Sequence, residues 1–256
     1  MKKHFILFTT IVLLCLSAKS FSNEIYEITV YHFKDPQQEI TLDTYLQTAY
    51  VPALHRKQIK NVGIFKPIAN DTATDKIIYV IIPFKSLSDI QTLQTSLDKD
   101  AIYTEAGKGY LTASYQNPPY VRMEKILLSA FELAPSMNLP KLNGDKKEHV
   151  YELRSYESPT EAYHINKVKM FNEGGEVGIF KKINANAVFY GDVIAGSRMP
   201  NLMYLTCYEN MTDRDSHWKS FGDDALWKQL IAMDEYKNNV SKADIILMHA
   251  ASYSDY

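Results

Sequence analysis

The stretch Ile25-Tyr26-Glu27-Ile28-Thr29-Val30-Tyr31-His32 recurs 125 positions later as Val150-Tyr151-Glu152-Leu153-Arg154-Ser155-Tyr156-Glu157. Tyr79 and Tyr204 stand at the same separation. A repeat of this length carries its own fold, and two copies in one chain can build a pseudo-symmetric dimer. The sequence therefore predicts a duplicated unit, and it specifies the architecture better than it specifies any reaction.

Hydrophobic spacing predicts the elements of the first copy. Residues 25–33 are rich in Ile, Val, Thr and Tyr, which is typical of a strand with two differently used faces. Apolar residues at helical spacing predict a helix over 41–57, which Pro52 kinks or divides. The remaining predictions are strands at 62–68, 77–84 and 121–131 and a second helix that starts at Ser86 with capping-box spacing.

The second copy repeats this order, with one ambiguity of register. Val62-Gly63-Ile64-Phe65 is spelled identically at Val177-Gly178-Ile179-Phe180, an offset of 115, whereas the offset of 125 aligns Phe65 with Tyr190. We prefer the larger offset, which makes 177–183 helical and 187–194 the second strand. The other predicted elements are strands at 150–156, 202–208 and 243–251, a helix capped by Ser158 and interrupted at Gly174-Gly175, and a helical region at 212–230.

Each unit thus has the order β-α-β-β-α-β, which predicts an α+β fold of the ferredoxin-like type, a four-stranded sheet with both helices on one face. Two tandem ferredoxin-like repeats can cover each other's bare sheet faces and form an intrachain dimeric α+β barrel. The predicted boundaries are a first repeat at 23–132, a linker without periodicity at 133–148 and a second repeat at 149–256.

The first 22 residues have the pattern of a secretory signal peptide. A basic start is followed by an apolar run of about 12 residues, shorter than the roughly 20 that a membrane-spanning helix needs, and then by small and polar residues. We expect cleavage near residues 20–22, export to the periplasm or the extracellular space, and no transmembrane segment afterwards. Cys15 offers lipid attachment as an alternative, although Leu14 precedes it where such signals have a small residue.

Composition limits the partners of the exported chain. Cleavage leaves Cys207 as its single cysteine, so no internal disulfide can form and the core must supply the stability. A net charge of −2 without long runs of like charge argues against nucleic acid. Small molecules or other proteins are the expected partners, and exposed helix faces could also join two copies as a homo-oligomer.

Several motifs of the second copy resemble the NIPSNAP family. They are Tyr151-Glu152-Leu153-Arg154-Ser155-Tyr156, Phe189-Tyr190-Gly191, Met199-Pro200-Asn201-Leu202-Met203-Tyr204, His217-Trp218 with Phe221, and Leu226-Trp227-Lys228. The first copy matches less well, since Thr29 stands where the second copy has Arg154. The resemblance implies the fold of the dimeric α+β barrel superfamily, which includes small monooxygenases and haem-handling enzymes. It implies no particular chemistry, because the NIPSNAP branch has no settled catalytic activity, and export would set this chain apart from the family's intracellular members.

Strand alternation predicts a first candidate site. Glu152, Arg154 and Tyr156 share one face of their strand, as Glu27, Thr29 and Tyr31 do in the first copy. If the more apolar face meets the helices, the two glutamates point into the barrel and share Arg154 as their cation. Carboxylates buried close together raise one pKa, as proton transfer requires. The plainer interpretation is a structural ion pair with hydrogen-bonded tyrosines.

A second candidate site is the helical stretch that carries Arg214, His217, Trp218 and Trp227. Residues three or four apart are neighbours on a helix, so a cleft between this helix and the sheet could use Trp218 as a wall and His217 as a donor or base. Aromatic residues at helical spacing more often belong to the core, and packing is the plainer interpretation here too.

The remaining histidines and loop cations carry weaker signals. His164, His32 and His249 lack close metal-ligand spacing, so a metal or haem site could form only if they converge in space, and no cofactor is evident. His164 and Arg198 are retained as ligand-binding candidates, Arg198 because it lies in a loop at a barrel end where it could meet an anion.

The sequence thus supports two functional hypotheses. The first is a NIPSNAP-like module, with a cleft in the second repeat, that binds a small ligand or a protein. The alternative is a cofactor-light monooxygenase or isomerase of the dimeric α+β barrel type, with Glu152, His217 and Tyr190 as acid, base and orienting residue.

Overall fold

Eight antiparallel strands form a closed barrel in the computed structural model, which describes residues 23–256. The predicted signal peptide and Cys15 lie outside the described residues. The strands are β1 Ile25–Phe33, β2 Gly63–Pro67, β3 Lys76–Phe84, β4 Arg122–Ala130, β5 Val150–Glu157, β6 Ala187–Ala195, β7 Asn201–Tyr208 and β8 Lys242–Ala250.

The order around the barrel, β1-β3-β2-β8-β5-β7-β6-β4, shows how the two copies join. Each copy contributes four consecutive strands, and both sheets have their first and third strands in the middle, as the ferredoxin-like prediction requires. The seams are short antiparallel pairings of β2 with β8, where Phe65 faces Ala250, and of β4 with β6, where Leu128 faces Val193. The tandem α+β barrel predicted from the repeat is therefore confirmed.

The helices of the first copy cover the outer face of its sheet. A π-helical segment, Leu46–Tyr50, separates the first two helices just before Pro52. Because proline lacks an N–H and its ring crowds the carbonyl four residues earlier, a wider turn there relieves the conflict. These helices are α1 Pro36–Tyr45, α2 Val51–Arg56, α3 Leu87–Asp98, α4 Ala101–Ala106 and α5 Lys108–Leu111, of which α4 and α5 were not predicted.

The second copy interrupts its first helix at the same place by another means. Gly175 has φ +90° and caps the N-terminus of the next helix, a conformation that glycine adopts without a Cβ clash. The predicted cap Ser158 is wrong, because Thr160 accepts the hydrogen bond from Tyr163 N. The helices are α6 Glu161–Phe171, α7 Glu176–Lys182, α8 Met211–Asp223 and α9 Ala225–Ala232. The repeated tetrapeptide is thus helical in this copy, as predicted.

The constant offset of 125 holds through the start of the first helix and fails by one residue in the third strand of each copy. Thr29 pairs with Val80, whereas Arg154, its equivalent, pairs with Tyr204. Tyr204 therefore corresponds to Val80 and not to Tyr79. The slip of one residue matters because successive side chains on a strand face opposite ways, so Tyr79 belongs to the core inside the barrel and Tyr204 to the core under the helices.

The predicted orientation of the glutamates is also wrong. Tyr151 and Leu153 point into the barrel with Tyr26 and Ile28 of the first copy, so Glu152 and Glu27 face the helices. All eight strands surround the interior, so a charge there would have little access to water or to partners. The helix layer supplies donors, Arg214 and Trp218 in the case of Glu152, so a carboxylate is stabilised better on that side of the sheet.

The linker contributes to the barrel core. Met137 is buried there, and the hydroxyl of Tyr256 contacts its sulfur at 2.6 Å. Tyr256 in turn packs against Phe65 and Tyr151, so this end of the barrel is filled by aromatic side chains. Among residues 23–256, no helix is long and apolar enough to cross a membrane.

Candidate functional site

A cleft of about 280 Å³ lies between the sheet and the helices of the second copy. We call it the second-repeat cleft. Its walls come from strands β5 and β7 and from helices α6 to α9, so every element of the helix layer contributes at least one side chain. The lining residues are Arg154, Tyr156, Lys167, Glu176, Tyr204, Trp218, Phe221, Gly222 and Trp227.

Glu152 anchors the sheet side of this region. Its carboxylate is fully buried and accepts hydrogen bonds from Arg214 Nε at 2.6 Å, Trp218 Nε1 at 2.9 Å and Arg154 Nε at 2.5 Å. Burial alone would raise the pKa of Glu152, but the bonds from Arg214 and Trp218 and the charge of Arg154 hold it below its ordinary value. Glu152 is therefore an ionised structural acceptor and not the proton donor that the sequence suggested.

Arg154 connects this carboxylate to the open space of the cleft. Its guanidinium lies 3.6 Å from the ring centroid of Trp218 and donates to the hydroxyl of Tyr156 at 2.7 Å. That hydroxyl is also 3.0 Å from the hydroxyl of Tyr204. The stacked cation and the two phenols give the cleft one polar wall that is fixed by its own hydrogen bonds.

Lys167 and Glu176 form a second buried ion pair on the helix side. Lys167 Nζ lies 2.8 Å from the Glu176 carboxylate, and both residues are almost inaccessible. The ammonium also faces the rings of Phe171 at 4.6 Å and Trp227 at 5.9 Å. Burial raises the pKa of Glu176, and the neighbouring Lys167 offsets this only in part. Burial thus favours the protonated form of Glu176, in contrast to Glu152.

The predicted residue Tyr190 lies below the cleft among aromatic rings. It stacks on Tyr204 with ring centroids 5.7 Å apart and contacts Phe180 and Phe171. Its hydroxyl is buried without a hydrogen-bond partner among the described side chains, and burial raises its pKa well above the ordinary value. No hydrogen bond joins it to Glu152 or to His217 within residues 23–256, so the geometry does not assemble the predicted catalytic group.

His217 lies outside the cleft lining. Its Nδ1 atom is 2.8 Å from the backbone oxygen of Asp213, and its ring packs on Tyr208. His164 is also elsewhere, with Nε2 2.6 Å from Asp192. Arg198 lies at one end of the barrel, where Glu157 and Asp244 bind its guanidinium. Of the predicted residues, the cleft therefore collects Arg154, Tyr156, Trp218 and Trp227, with Glu152 and Arg214 behind them.

The first copy fills the equivalent space with its own side chains. Glu27 pairs with Lys125 at 2.7 Å, and Tyr31 packs against the rings of Tyr110 and Tyr120. The first helix of each copy is capped by Asp35 or Thr160, and these caps are 125 residues apart. Leu42 is therefore the equivalent of Lys167. With Thr29 in place of Arg154 as well, this copy lacks both cations of the cleft. The two predicted glutamates consequently have separate partners and do not share Arg154.

Sequence reasoning missed Lys167, Glu176 and Tyr204 as site residues. The two charged residues lie on separate helices joined through Gly174-Gly175, so no spacing within one helix pairs them. Tyr204 was misplaced by the register slip. The signal that was present is the pair of glycines, which lets α7 turn back so that Glu176 meets Lys167.

Among residues 23–256, no group of three or more His, Cys, Asp or Glu side chains is placed to hold a metal ion. The donors that meet in the cleft are instead an arginine, a lysine and two phenols, which are not the ligand set of a structural metal site.

Comparison with known proteins finds a family similarity in the second copy. Residues 151–255 match the family model NIPSNAP. No curated protein matches the sequence. A solved NIPSNAP family protein from Agrobacterium tumefaciens has 14% identity and a TM-score of 0.38, covering 46% of this chain and 98% of its own.

Two solved structures span nearly the whole barrel. A monooxygenase-like protein from Lactobacillus acidophilus NCFM has 11% identity and a TM-score of 0.58, covering 90% of this chain and 94% of its own. Another from Fusobacterium nucleatum has 8% identity and the same TM-score, covering 90% and 93%. At such low identity the likeness concerns the fold, an α+β barrel of dimeric type within one chain.

Proposed function

We propose that the protein is an exported NIPSNAP-like binding module whose second-repeat cleft takes one small aromatic anion, such as a one-ring carboxylate or phenolate. The observation that carries this proposal is Lys167, an almost inaccessible ammonium in a cleft that is also lined by Arg154, Glu176 and five aromatic side chains. The first copy does not repeat this site, because it has Leu42 and Thr29 where the second copy has Lys167 and Arg154.

The charges of the site favour an anion. Arg154, Arg214 and Lys167 face Glu152 and Glu176, and Arg214 also pairs with the exposed Asp215, so an excess positive charge arises when Glu176 is protonated. Glu152 is saturated with donors, whereas the pKa of Glu176 is raised and its protonation frees Lys167. The rings of Trp218, Trp227 and Phe221 supply the flat apolar surface that an aromatic body needs.

Tryptophan fluorescence can test this binding directly, since the only two tryptophans of the chain both line the cleft. We expect 4-hydroxybenzoate to shift the emission and the neutral amide 4-hydroxybenzamide to bind at least about tenfold more weakly, a difference of about 1.4 kcal/mol. Lys167→Met keeps the apolar stem and should remove this preference.

The matched control is Lys169→Met, an exposed lysine on the same helix that pairs with Glu235. It should leave both affinities unchanged. Trp227→Leu keeps every charge of the site and should lower the affinities for both ligands by a similar factor. The proposal would be rejected if Lys167→Met and Lys169→Met had the same ratio of affinities for the carboxylate and the amide. It would also be rejected if the carboxylate left the tryptophan emission of the unmodified protein unchanged.

The raised pKa of Glu176 favours a second candidate, an isomerase that moves a proton on an enolisable carbonyl compound. The ionised carboxylate of Glu176 would take a proton from carbon while Lys167 and the Tyr156 hydroxyl stabilise the enolate oxygen, and no cofactor is needed. Phenylpyruvate in D₂O tests it: the protein should accelerate deuterium exchange at the methylene, and Glu176→Gln should abolish that acceleration. Exchange no faster than in buffer excludes this candidate and leaves the binding module.

Export rests on the pattern of residues 1–22 and has its own test. Expression in a bacterium followed by fractionation should place the protein outside the cytoplasm, and mass spectrometry of the intact chain should find an N-terminus close to residues 21–23. A full-length cytoplasmic chain would contradict export without affecting the cleft.

A further inference from the structure

A second cavity, of about 230 Å³, lies inside the barrel at the end where β1 and β5 finish. We call it the barrel-mouth cavity. The sheet separates it from the second-repeat cleft, because Ser155 faces this cavity while its neighbours Arg154 and Tyr156 face the cleft. The opposite end of the barrel is filled by Tyr256, Phe65 and Tyr151, so the cavity has a floor and one mouth.

The walls of the barrel-mouth cavity are mainly aliphatic. Val30, Ile77, Ile126, Val193 and Ile246 line it from five different strands. At ~30 Å³ for a water molecule in the liquid, the cavity would hold roughly eight, and an aliphatic wall gives water few hydrogen bonds. The space therefore favours the apolar body of a small molecule, about the size of one ring with a short arm.

One polar atom at the mouth, His32 Nε2, has no hydrogen-bond partner. Asp75 accepts from His32 Nδ1 at 2.9 Å, which makes Nε2 of the neutral ring an acceptor. That Nε2 atom is buried without a hydrogen-bond partner, 3.8 Å from the Glu124 carboxylate. Within residues 23–256, no lysine or arginine forms an ion pair with Glu124, whose other contact is Ser197 Oγ at 3.5 Å.

The other charges of the mouth do not favour an anion. Arg198 is the nearest cation, but Glu157 and Asp244 both bind its guanidinium. Lys242, the second cation, lies 3.8 Å from the carboxylate of Asp244. With Asp75 and Glu124, four carboxylates stand against these two cations and Arg122, which is paired with His32 across β1 and β4, so the carboxylates of the rim outnumber its lysines and arginines.

We propose that the barrel-mouth cavity binds a small primary amine with an apolar body. Its ammonium group donates to His32 Nε2 and to the Glu124 carboxylate, and its apolar part enters the barrel between Ile77, Ile126 and Val193. His32 Nε2 has no donor and Glu124 has only a long hydrogen bond from Ser197 Oγ, so the two adjacent acceptors match an ammonium, which has three donors and no acceptor. This site is independent of the second-repeat cleft and extends the protein to a second class of ligand.

Calorimetry with 2-phenylethylamine tests the proposal against two matched ligands, the neutral 2-phenylethanol and the anionic 3-phenylpropionate. We expect the amine to bind at least about tenfold more tightly than the alcohol. Glu124→Gln should remove that advantage, and Glu105→Gln, at an exposed position of the first copy, should keep it. Tryptophan emission should not change, because both tryptophans lie in the other cleft.

A gain-of-function variant keeps the test independent of folding losses. Glu124→Lys places an ammonium at the mouth and should transfer the preference from the amine to 3-phenylpropionate. Three outcomes would overturn the proposal: equal binding of amine and alcohol, an unchanged amine affinity in Glu124→Gln, or a tryptophan response that accompanies amine binding. None of them bears on aromatic anions in the second-repeat cleft, so the two proposals can fail separately.

Discussion

Glu152 shows at the scale of one residue why the second copy differs from the first. It has three donors from two arginines and a tryptophan, and none of its surface meets water. Its counterpart Glu27 has one lysine, itself about half exposed. The same strand position therefore carries a buried charge network in one copy and a partly solvated ion pair in the other.

We predict that Glu152→Gln lowers the free energy of unfolding by about 3–5 kcal/mol, because it leaves Arg154 and Arg214 without their buried counter-charge. Glu27→Gln is the matched control at the equivalent position and should cost about 1 kcal/mol, since the released Lys125 can be hydrated. Urea unfolding measures the free energy of unfolding of both variants, and we expect their m values to equal that of the unmodified protein. Equal losses in the two variants would contradict the assignment of Glu152 as the anchor of the cleft.

The depressed pKa of Glu152 also predicts how this difference depends on pH. A carboxyl group whose folded-state pKa lies below its ordinary value of 4.5 contributes its full stability above that value and loses it as the pH falls through the folded-state pKa. The stability gap between the unmodified protein and Glu152→Gln should therefore be constant near neutral pH and narrow below pH 4.5. Thermal melts across this range measure the gap, and a gap that widens on acidification would contradict the sign.

The sequence predicted part of this site and missed the rest for a definable reason. Arg154, Tyr156 and Trp218 were found because strand alternation and helical spacing are local properties. Lys167 and Glu176 were not, since their contact depends on how two helices pack around a glycine turn. The direction in which Glu152 points was predicted wrongly, because it depends on which sheet face the other copy covers.

At the scale of elements, the start of α7 depends on one glycine. Gly175 has φ +90°, and a Cβ there would lie 3.2 Å from Leu226 Cδ2. We predict that Gly175→Ala costs about 1–2 kcal/mol through the left-handed backbone and shifts Glu176 away from Lys167. Gly178→Ala, three residues later inside the same helix with open space around its Cα, should stabilise the protein by about 0.5–1 kcal/mol. Thermal melts of the two variants should therefore move in opposite directions.

Most elements were predictable to within a few residues at their ends, and the exceptions are instructive. The tetrapeptide at Val62 and Val177 shows that identical residues can begin a strand in one copy and lie in a helix in the other. The repeat offset resolved that ambiguity correctly. It then failed by one residue between β3 and β7, where Val80 pairs with Thr29 and Tyr204 with Arg154. The connections differ in length between the copies, and a constant offset cannot represent that difference.

At the scale of the whole molecule, the barrel exists because each sheet hides the other. Tyr26, Ile28 and Val30 of one copy and Tyr151 and Leu153 of the other belong to a single interior core. The two seams are short, so the copies are held together by this core more than by strand pairing. Joining them in one chain gives each sheet a partner at high effective concentration whatever the dilution.

We predict that separate chains of residues 23–148 and 149–256 each self-associate, because an isolated half exposes the apolar face that lines the barrel. Mixing them should restore a one-to-one complex with the sedimentation coefficient of the intact protein, and the linker must stay with the first half because Met137 packs into the barrel. Substituting Leu153→Asp in the second half should block this assembly, whereas Ile165→Asp, on the exposed surface of α6, should allow it. Analytical ultracentrifugation distinguishes these states, and a half that sediments as a folded monomer would show that mutual shielding of the sheets is not what the fold requires.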